Sequence, residues 1–406
     1  NSTNEFRQQF HSRQFHNETI LLKGARVFEF EQISHLLEEK THQTVLEVNL
    51  NAVTHNLNVY KQMLGPTVKL MAMVKAFSYG SGSFEIANLL QFHHVDYLAV
   101  AYTDEGVELR KAGITLPIMV MNAEEVNFDM LVAYNLEPEL FSLGILNNFE
   151  AYLKQAGITH FPVHLKLDTG MHRLGFEEKD IDALCNALVA TQVFKVQSVF
   201  SHLAASDSAR HDDFTKAQAA SFLKNSKKIK SIIGYSFICH IANTAAIYRH
   251  KNLQLDMVRL GIGLYGAGAD EFVKQQLKNV TTLKTTISQI KKIKQGESIG
   301  YGRRAVADAD MVIATVRIGY ADGYPRILSN GIGKMLINDI PAPVVGNICM
   351  DMTMLDVTGL NVQEGDEVIV FGRNLTVNKL AALANTIPYE ILTGISQRVK
   401  RVYFEE

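Results

Sequence analysis

From about residue 68 to residue 265, apolar runs of strand length alternate with stretches of helical period. The runs are VKLMAMVKA (68–76), YLAVAY (97–102), PIMVMN (117–122), LEPELF (136–141), FPVHLKLD (161–168), VQSVFSHLA (196–204), YSFICHIAN (235–243) and LDMVRLGIGLYG (255–266). Between them lie segments such as GSFEIANLLQF and DEGVELRKAG, and a further helix precedes the first run, with Val53, Leu57, Tyr60 and Leu64 on one face. Eight strands alternating with helices over about 200 residues predict an α/β fold, a (β/α)8 barrel. A doubly wound open sheet is the rival. After about residue 275 short β-rich runs separated by Gly, Asn, Asp and Pro predict a smaller all-β domain. The resulting division is an N-terminal extension over 1–42, a barrel over 43–275 and a β domain over 276–406. The run LEVNL (46–50) fits either the barrel or the β domain.

Bulk properties narrow the function. At 406 residues the chain can hold two or three domains and a large core. A net charge of -2 gives no reason to expect a nucleic-acid or membrane-surface partner. Cys185, Cys239 and Cys349 lie far apart with no metal-ligand spacing, which fits free thiols in a reducing, cytoplasmic setting. No apolar run approaches the ~20 residues of a membrane span. The first residues have no apolar h-region, so no signal peptide is expected there. A start without Met suggests a processed protein or a fragment.

The chemistry gathers at strand ends, where barrels of this kind build their sites. Lys75 closes the first run. A lysine held by an apolar strand loses hydration, which favours the neutral amine able to form a Schiff base. The fifth run ends in Lys166 and Asp168, followed by His172 and Arg173. The sixth ends at Ser201 and His202, the seventh at His240, Asn243 and Thr244. The eighth carries Arg259, then Gly261 and Ile262. Thr244 and Gly261 suit a phosphate, offering a hydroxyl and an uncluttered backbone amide. A Schiff-base lysine opposite a phosphate cradle implies pyridoxal phosphate. Were Arg259 to touch the pyridine nitrogen, its permanent charge would disfavour a protonated ring and favour simple proton exchange. Each residue also has a plain structural use. Lys75 can be a solvated strand-end lysine, His202 and His240 satisfied core histidines, and Arg173 a partner for Asp168. Tyr79, Tyr301 and Tyr320 can be packing aromatics, and Thr244 and Gly261 a cap and a turn. Their joint clustering at strand ends argues against that.

The segments VKAFSYGSG, HLKLDTGMHRLGF, SHLAAS, HIANTAA, MVRLGIGLYG, IGYGRR, IGYADGYPR and GNICMDM resemble, in order, the signatures of the alanine racemase family. The resemblance covers roughly 43–406. It implies a pyridoxal-phosphate barrel with a β domain, interconverting L- and D-alanine by two-base proton transfer on an aldimine and supplying D-alanine for peptidoglycan. It assigns Lys75 to the Schiff base, Tyr301 to the opposite face, Arg259 to the pyridine nitrogen with His240 behind it, and His202 to the orientation of Tyr301. Arg173 would hold the substrate carboxylate and the cofactor phenolate, and Lys166, a position often carbamylated, would set Arg173. Tyr79, Asn243, Thr244, Gly261 and Ile262 would contact the cofactor. Met350 and Asp351, with Tyr301, would come from the second subunit of a homodimer. A phosphate-binding tyrosine common in the last motif is replaced by Gln397, which puts that contact in doubt. The segment ETILLKGARVFEFEQISHLLEEK resembles the carboxyl end of the ligase that adds D-alanyl-D-alanine to the UDP-N-acetylmuramoyl-tripeptide, so a fusion with that ligase is also expected. Other readings are a broader amino-acid racemase, a decarboxylase of the same barrel, against which Arg259 counts, and a non-catalytic pyridoxal-phosphate carrier.

Overall fold

The computed structural model describes residues 44–268 and 271–405, so the extension read as a ligase end lies outside the described residues. The described chain opens with β1 (Val45–Asn49) and helix α1 (Leu50–Gln62). Asn49 caps α1 by accepting the Ala52 N–H at 2.8 Å. Val53, Leu57 and Tyr60 are fully buried on the face the periodicity predicts, and Leu64 packs just beyond the helix end.

All eight predicted runs become strands, in the predicted order. They are β2 (Lys69–Met73), β3 (Tyr97–Val100), β4 (Ile118–Val120), β5 (Glu137–Leu140), β6 (Phe161–Lys166), β7 (Phe194–Phe200), β8 (Ile238–His240) and β9 (Met257–Leu260). Every pairing among them is parallel, with sheet order β8-β7-β6-β5-β4-β3-β2-β9. The circle closes between β8 and β9 through Asp256 N–H to Cys239 O (3.1 Å) and Arg259 N–H to Ala242 O (2.9 Å). Closure excludes the open-sheet alternative and gathers the carboxyl ends of all eight strands at one mouth.

The second unit is built from β10 (Thr281–Ile293), the two-residue strands β11 (Ser298–Ile299) and β12 (Ala305–Val306), β13 (Met311–Val316), β14 (Lys334–Ile337), β15 (Ile340–Val345), β16 (Thr353–Asp356), β17 (Glu367–Phe371) and β18 (Lys400–Phe404). The long strand β10 pairs antiparallel with β17 over its first half and with β13 over its second. The pairings β10-β17-β14-β15-β16-β13-β10 therefore form a ring, which leaves those six strands without a free edge. Two short helices, Val377–Leu383 and Pro388–Thr393, interrupt the β pattern. The LEVNL run belongs here. Its strand β1 pairs antiparallel with β10 and parallel with β18, Val45 lying opposite Lys400.

Candidate active site

Lys75 lies two residues past the end of β2 rather than within the strand, as its first residue in a five-residue helical turn, Lys75–Tyr79. Ala76, Phe77, Ser78 and Tyr79 all have φ between 49° and 55°, so this turn is left-handed. Such a run costs roughly 1–2 kcal/mol per residue for L-amino acids and persists only where its surroundings impose it. Two residues do so. Glu105 accepts the Ala76 N–H (2.6 Å) with one oxygen and the Ala101 N–H (2.6 Å) with the other. Arg401 donates to Gly80 O (2.9 Å), Ser396 O (2.6 Å), Val399 O (2.6 Å) and Ile395 O (2.8 Å), with its guanidinium 5.4 Å from the Phe77 ring centre. The turn aims Lys75 into the mouth and sends Tyr79 inward. Burial and the Arg173 charge hold the Lys75 amine below the usual lysine range.

Tyr79, Thr244 and Gly261 converge. The Thr244 hydroxyl accepts the Gly261 N–H at 2.9 Å. A Cβ on Gly261 would sit 2.9 Å from the Tyr79 hydroxyl and 3.6 Å from the Thr244 hydroxyl, so only glycine leaves that space open. Tyr79 is buried against Tyr265, ring centres 4.8 Å apart, and Tyr265 donates to Met73 O (3.1 Å), tying the cradle to β2. Ile262 begins the buried turn after Gly261. Asn243 is engaged otherwise: its side-chain oxygen accepts from Ala246 N–H (3.1 Å) and the Ser206 hydroxyl (2.8 Å), capping the helix that Thr244 begins.

Arg259 is buried and spends its donors on His240 Nδ1 (2.7 Å), His240 O (3.4 Å), Ser201 O (2.6 Å) and Ile241 O (3.2 Å). Burial draws it down to about 10, still a cation near neutral pH. A guanidinium only donates, so His240 Nδ1 must accept and its Nε2–H must donate to Ser198 Oγ at 2.9 Å. Ser198 then donates to His164 Nδ1 at 2.7 Å, and His164 Nε2–H donates to Glu137 Oε2 at 2.9 Å. One donor-only group thus fixes both tautomers along a buried relay that ends on a carboxylate.

A second buried carboxylate sits two residues along β5. Glu139 Oε1 accepts from the Lys166 ammonium at 2.8 Å, and its Oε2 is buried with no hydrogen-bond partner among the described residues. Burial pushes the Glu139 carboxyl up to about 7, while Lys166, Arg173 and Arg259 pull it back. His202 faces the same cations. Burial first, then Arg259, Arg173, Lys166 and Lys75, hold its ring down at about 3.

The plain pairing of Arg173 with Asp168 does not form. Asp168 Oδ1 instead accepts the N–H groups of Gly170 (2.9 Å), Met171 (3.1 Å) and His172 (3.1 Å), and its Oδ2 lies 3.3 Å from His172 Nδ1. Burial would raise this carboxyl, but those donors bring it below the usual range. Arg173 makes no hydrogen bond or ion pair among the described residues and stays exposed at the mouth.

Tyr301, Met350 and Asp351 lie on the β domain. Tyr301 is 72% and Met350 53% exposed, and no hydrogen bond among the described residues joins the Tyr301 hydroxyl to His202. Asp351 accepts from Arg398 (2.7 Å), which also donates to the buried Asp322 (2.7 Å). Gln397 is exposed. The residues missing from the sequence reading are Glu105, Glu137, Glu139, His164, Ser198 and Arg401. The available signal was LEPELF itself, two glutamates at alternate positions of an apolar strand, hence on one face.

Comparison with known proteins identifies the family. The family model for the alanine racemase N-terminal domain matches residues 48–269, and that for the C-terminal domain matches 280–403. The chain is 35% identical over 374 residues to alanine racemase 2 of Caldanaerobacter subterraneus, spanning 90% of this chain and 96% of that protein. Among solved structures it is similar to the alanine racemase of Clostridium difficile 630, with TM-score 0.85, 36% identity, and coverage of 91% and 97% of the two chains. It is likewise similar to the alanine racemase of Bartonella henselae, solved with covalently bound pyridoxal phosphate, with TM-score 0.80, 29% identity, and coverage of 89% and 100%. Matched in both units and over nine-tenths of its length, the chain belongs to the alanine racemase family.

Proposed function

We propose that the chain interconverts L- and D-alanine with pyridoxal phosphate carried on Lys75, and so supplies D-alanine for peptidoglycan. The observation that carries the reading is the convergence at one mouth of a lysine whose amine is held below its usual range, a glycine-opened cradle and a buried donor-only arginine. These residues fit the cofactor. Tyr79, Thr244 and the Ile262 amide would hold the phosphate in the space that Gly261 leaves open, and Arg259 would face the ring nitrogen. When bound, pyridoxal phosphate acidifies the α-C–H of the amino acid joined to it. Lys75 can take or return the α-proton on one face, since burial and the Arg173 charge hold its amine below the usual lysine range. Arg173 would hold the substrate carboxylate, since it has no hydrogen-bond or ion-pair partner among the described residues. A group on the other face is required, and we assign Tyr301 from a second subunit, with neutral His202 orienting it through a hydrogen bond. The exposure of Tyr301 and Met350 supports a homodimer with composite sites.

Arg259 rather than a carboxylate beside the ring speaks against decarboxylation, and the matched β domain against a non-catalytic carrier. Among the described residues no helix is long and apolar enough to cross a membrane. We take the site of action as the cytoplasm. The likeness of residues 1–42 to a ligase end rests on sequence alone. The test is chemical. Borohydride should fix the cofactor to the peptide carrying Lys75, and Lys75→Ala should lose nearly all racemisation. A label on another lysine removes the proposal. Mixing inactive Lys75→Ala and Tyr301→Phe subunits should restore up to about half of wild-type activity per hybrid dimer, since one site then carries neither defect. Hybrids that stay inactive would place both residues in one subunit.

A further inference from the structure

The two carboxylates inside the barrel are spent differently. Glu137 ends a relay in which each group has its partner. Glu139 is wholly buried, gives one oxygen to Lys166 at 2.8 Å, and leaves the other unmet among the described residues. An unmet acceptor of that kind is costly unless something fills it in the working state. The largest charges acting on Glu139 are those of Lys166, Arg173 and Arg259, all cations. The Phe200 ring packs near two of them, its centre 5.7 Å from Lys166 Nζ and 5.2 Å from Arg259 Cζ. Arg173, with five donors, has no partner of its own among the described residues. The mouth therefore holds a surplus of positive charge above one buried carboxylate, which Lys166 meets at 2.8 Å.

We infer that Glu139 is the anion that positions Arg173, and that Lys166 works as a free ammonium, not as a carbamate. Carbamate formation would need the Lys166 amine to lose its proton and attack carbon dioxide. An N–C bond would form, one C–O π pair would move onto oxygen, and a second proton would leave nitrogen, giving an anion. Glu139 opposes both ends of that step. Its carboxylate holds the ammonium proton at 2.8 Å. The product carboxylate would then lie beside Glu139 in a site that water does not screen, where like charges repel strongly. A chain that carries the carboxylate on β5 has no use for a second one built on β6. Glu139 acts on the substrate only through Arg173, so it is a positioning residue. That half of the inference rests on the proposed role of Arg173, whereas the state of Lys166 does not.

The holoenzyme should be equilibrated with 13C-bicarbonate and followed by 13C NMR. Wild type is expected to show no protein carbamate. Glu139→Gln keeps the shape but removes the charge that holds the ammonium, and should gain one carbamate resonance that Lys166→Arg removes. In the absence of bicarbonate, Glu139→Gln should raise KM for alanine about tenfold, the loss of one charge-assisted contact, with kcat changed less. Bicarbonate should bring KM back toward wild type by restoring an anion. Glu139→Asp, which retains the charge, should stay free of carbamate and lose less, and it serves as the second variant should Glu139→Gln fail to fold. A carbamate signal in wild type that Lys166→Arg abolishes overturns the inference. So does a folded Glu139→Gln enzyme with unchanged KM and no carbamate. An unchanged KM in Arg173→Lys, with Lys166 still free of label, would instead remove only the role given to Arg173.

Discussion

Glu137 and Glu139 lie two residues apart on the same strand and face the same barrel interior, yet their surroundings teach opposite lessons. Around Glu137 the polar groups match one for one. Arg259, His240, Ser198, His164 and the carboxylate form a directional chain, and the Tyr97 hydroxyl also meets that carboxylate, so the network specifies one arrangement. Around Glu139 the count is uneven, with three cations, one anion and an unmet oxygen. A matched network rigidifies, whereas an unmatched one marks where substrate and cofactor will bring the missing partners. On this view Arg259 belongs to both regions: its back is fixed by the relay and its charge is presented to the mouth.

The sharpest way to break the comparison is to cut the matched side. His164→Leu removes the donor to Glu137 and the acceptor for Ser198 in a fully buried position. It leaves the buried Glu137 with the Tyr97 hydroxyl as its remaining side-chain donor, at a cost of about 3 kcal/mol. Denaturant unfolding should show this as a lower midpoint with an unchanged slope. A loss below about 1 kcal/mol would mean the relay is not held tightly. Ser198→Ala, at the middle, should cost about 2 kcal/mol, because it strands the His240 Nε2–H and the His164 Nδ1 together. The same relay makes a spectroscopic claim. Nitrogen NMR of wild type should find both imidazoles neutral and protonated at Nε2, and an Nδ1–H form of either would reverse the direction derived from Arg259.

Much of the first region could not be read from the chain. The eight strands were legible because parallel barrel strands are buried on both faces and appear as continuous apolar runs. Lys75, Arg259, Thr244 and Gly261 stood out as polar or small residues at the ends of those runs. The glutamates of LEPELF did not, since alternation says only that Glu137 and Glu139 share a face. Which face turns inward is decided by closure of the circle. His164 and Ser198 were hidden for the same reason, inside runs taken as apolar. Nor did anything in Ala76-Phe77-Ser78-Tyr79 announce four left-handed residues, because none of these types favours positive φ. Their conformation is imposed by Glu105 from the first turn of the helix Thr103–Lys111 after β3 and by Arg401 from the far end of the chain. The pairing of β1 with β18 escaped likewise, as it joins residues some 350 positions apart.

The unmatched side offers a pH test. His202 ordinarily titrates at 6.5 but is held at about 3 by burial and by the cations of the mouth. The unfolded chain therefore takes up a proton at His202 as pH falls below 6.5, while the native protein does not. The sign follows: this residue's contribution to stability is present above pH 6.5 and is lost as pH falls toward 3. Replacing it with glutamine should reduce the acid-side slope of unfolding free energy by up to about 1.4 kcal/mol per pH unit between pH 6 and 4. A slope identical to wild type would mean that His202 binds its proton in the folded state, and that the cations lie farther from it than the structure has them.

The smallest effect is also the most direct test of whether the two glutamates belong to separate networks. Glu139 shares no hydrogen-bond partner with Ser198, and Glu137 is not among the charges that act on Glu139. A double-mutant cycle between Glu139→Gln and Ser198→Ala should therefore close with a coupling within about 0.5 kcal/mol, as for independent sites. The control cycle pairs Ser198→Ala with His164→Leu, which share a hydrogen bond, and should show a coupling well above that value. Arg259 is a side-chain route by which the first pair could communicate, since it bonds to His240 and also acts electrostatically on Glu139. Its four hydrogen bonds to His240, Ser201 and Ile241 should keep it in place when Ser198 is cut, because three of them end on backbone carbonyls that the substitution does not touch. A coupling above about 1 kcal/mol would show Arg259 moving when the relay is broken. The matched and unmatched regions would then be one network read from two ends.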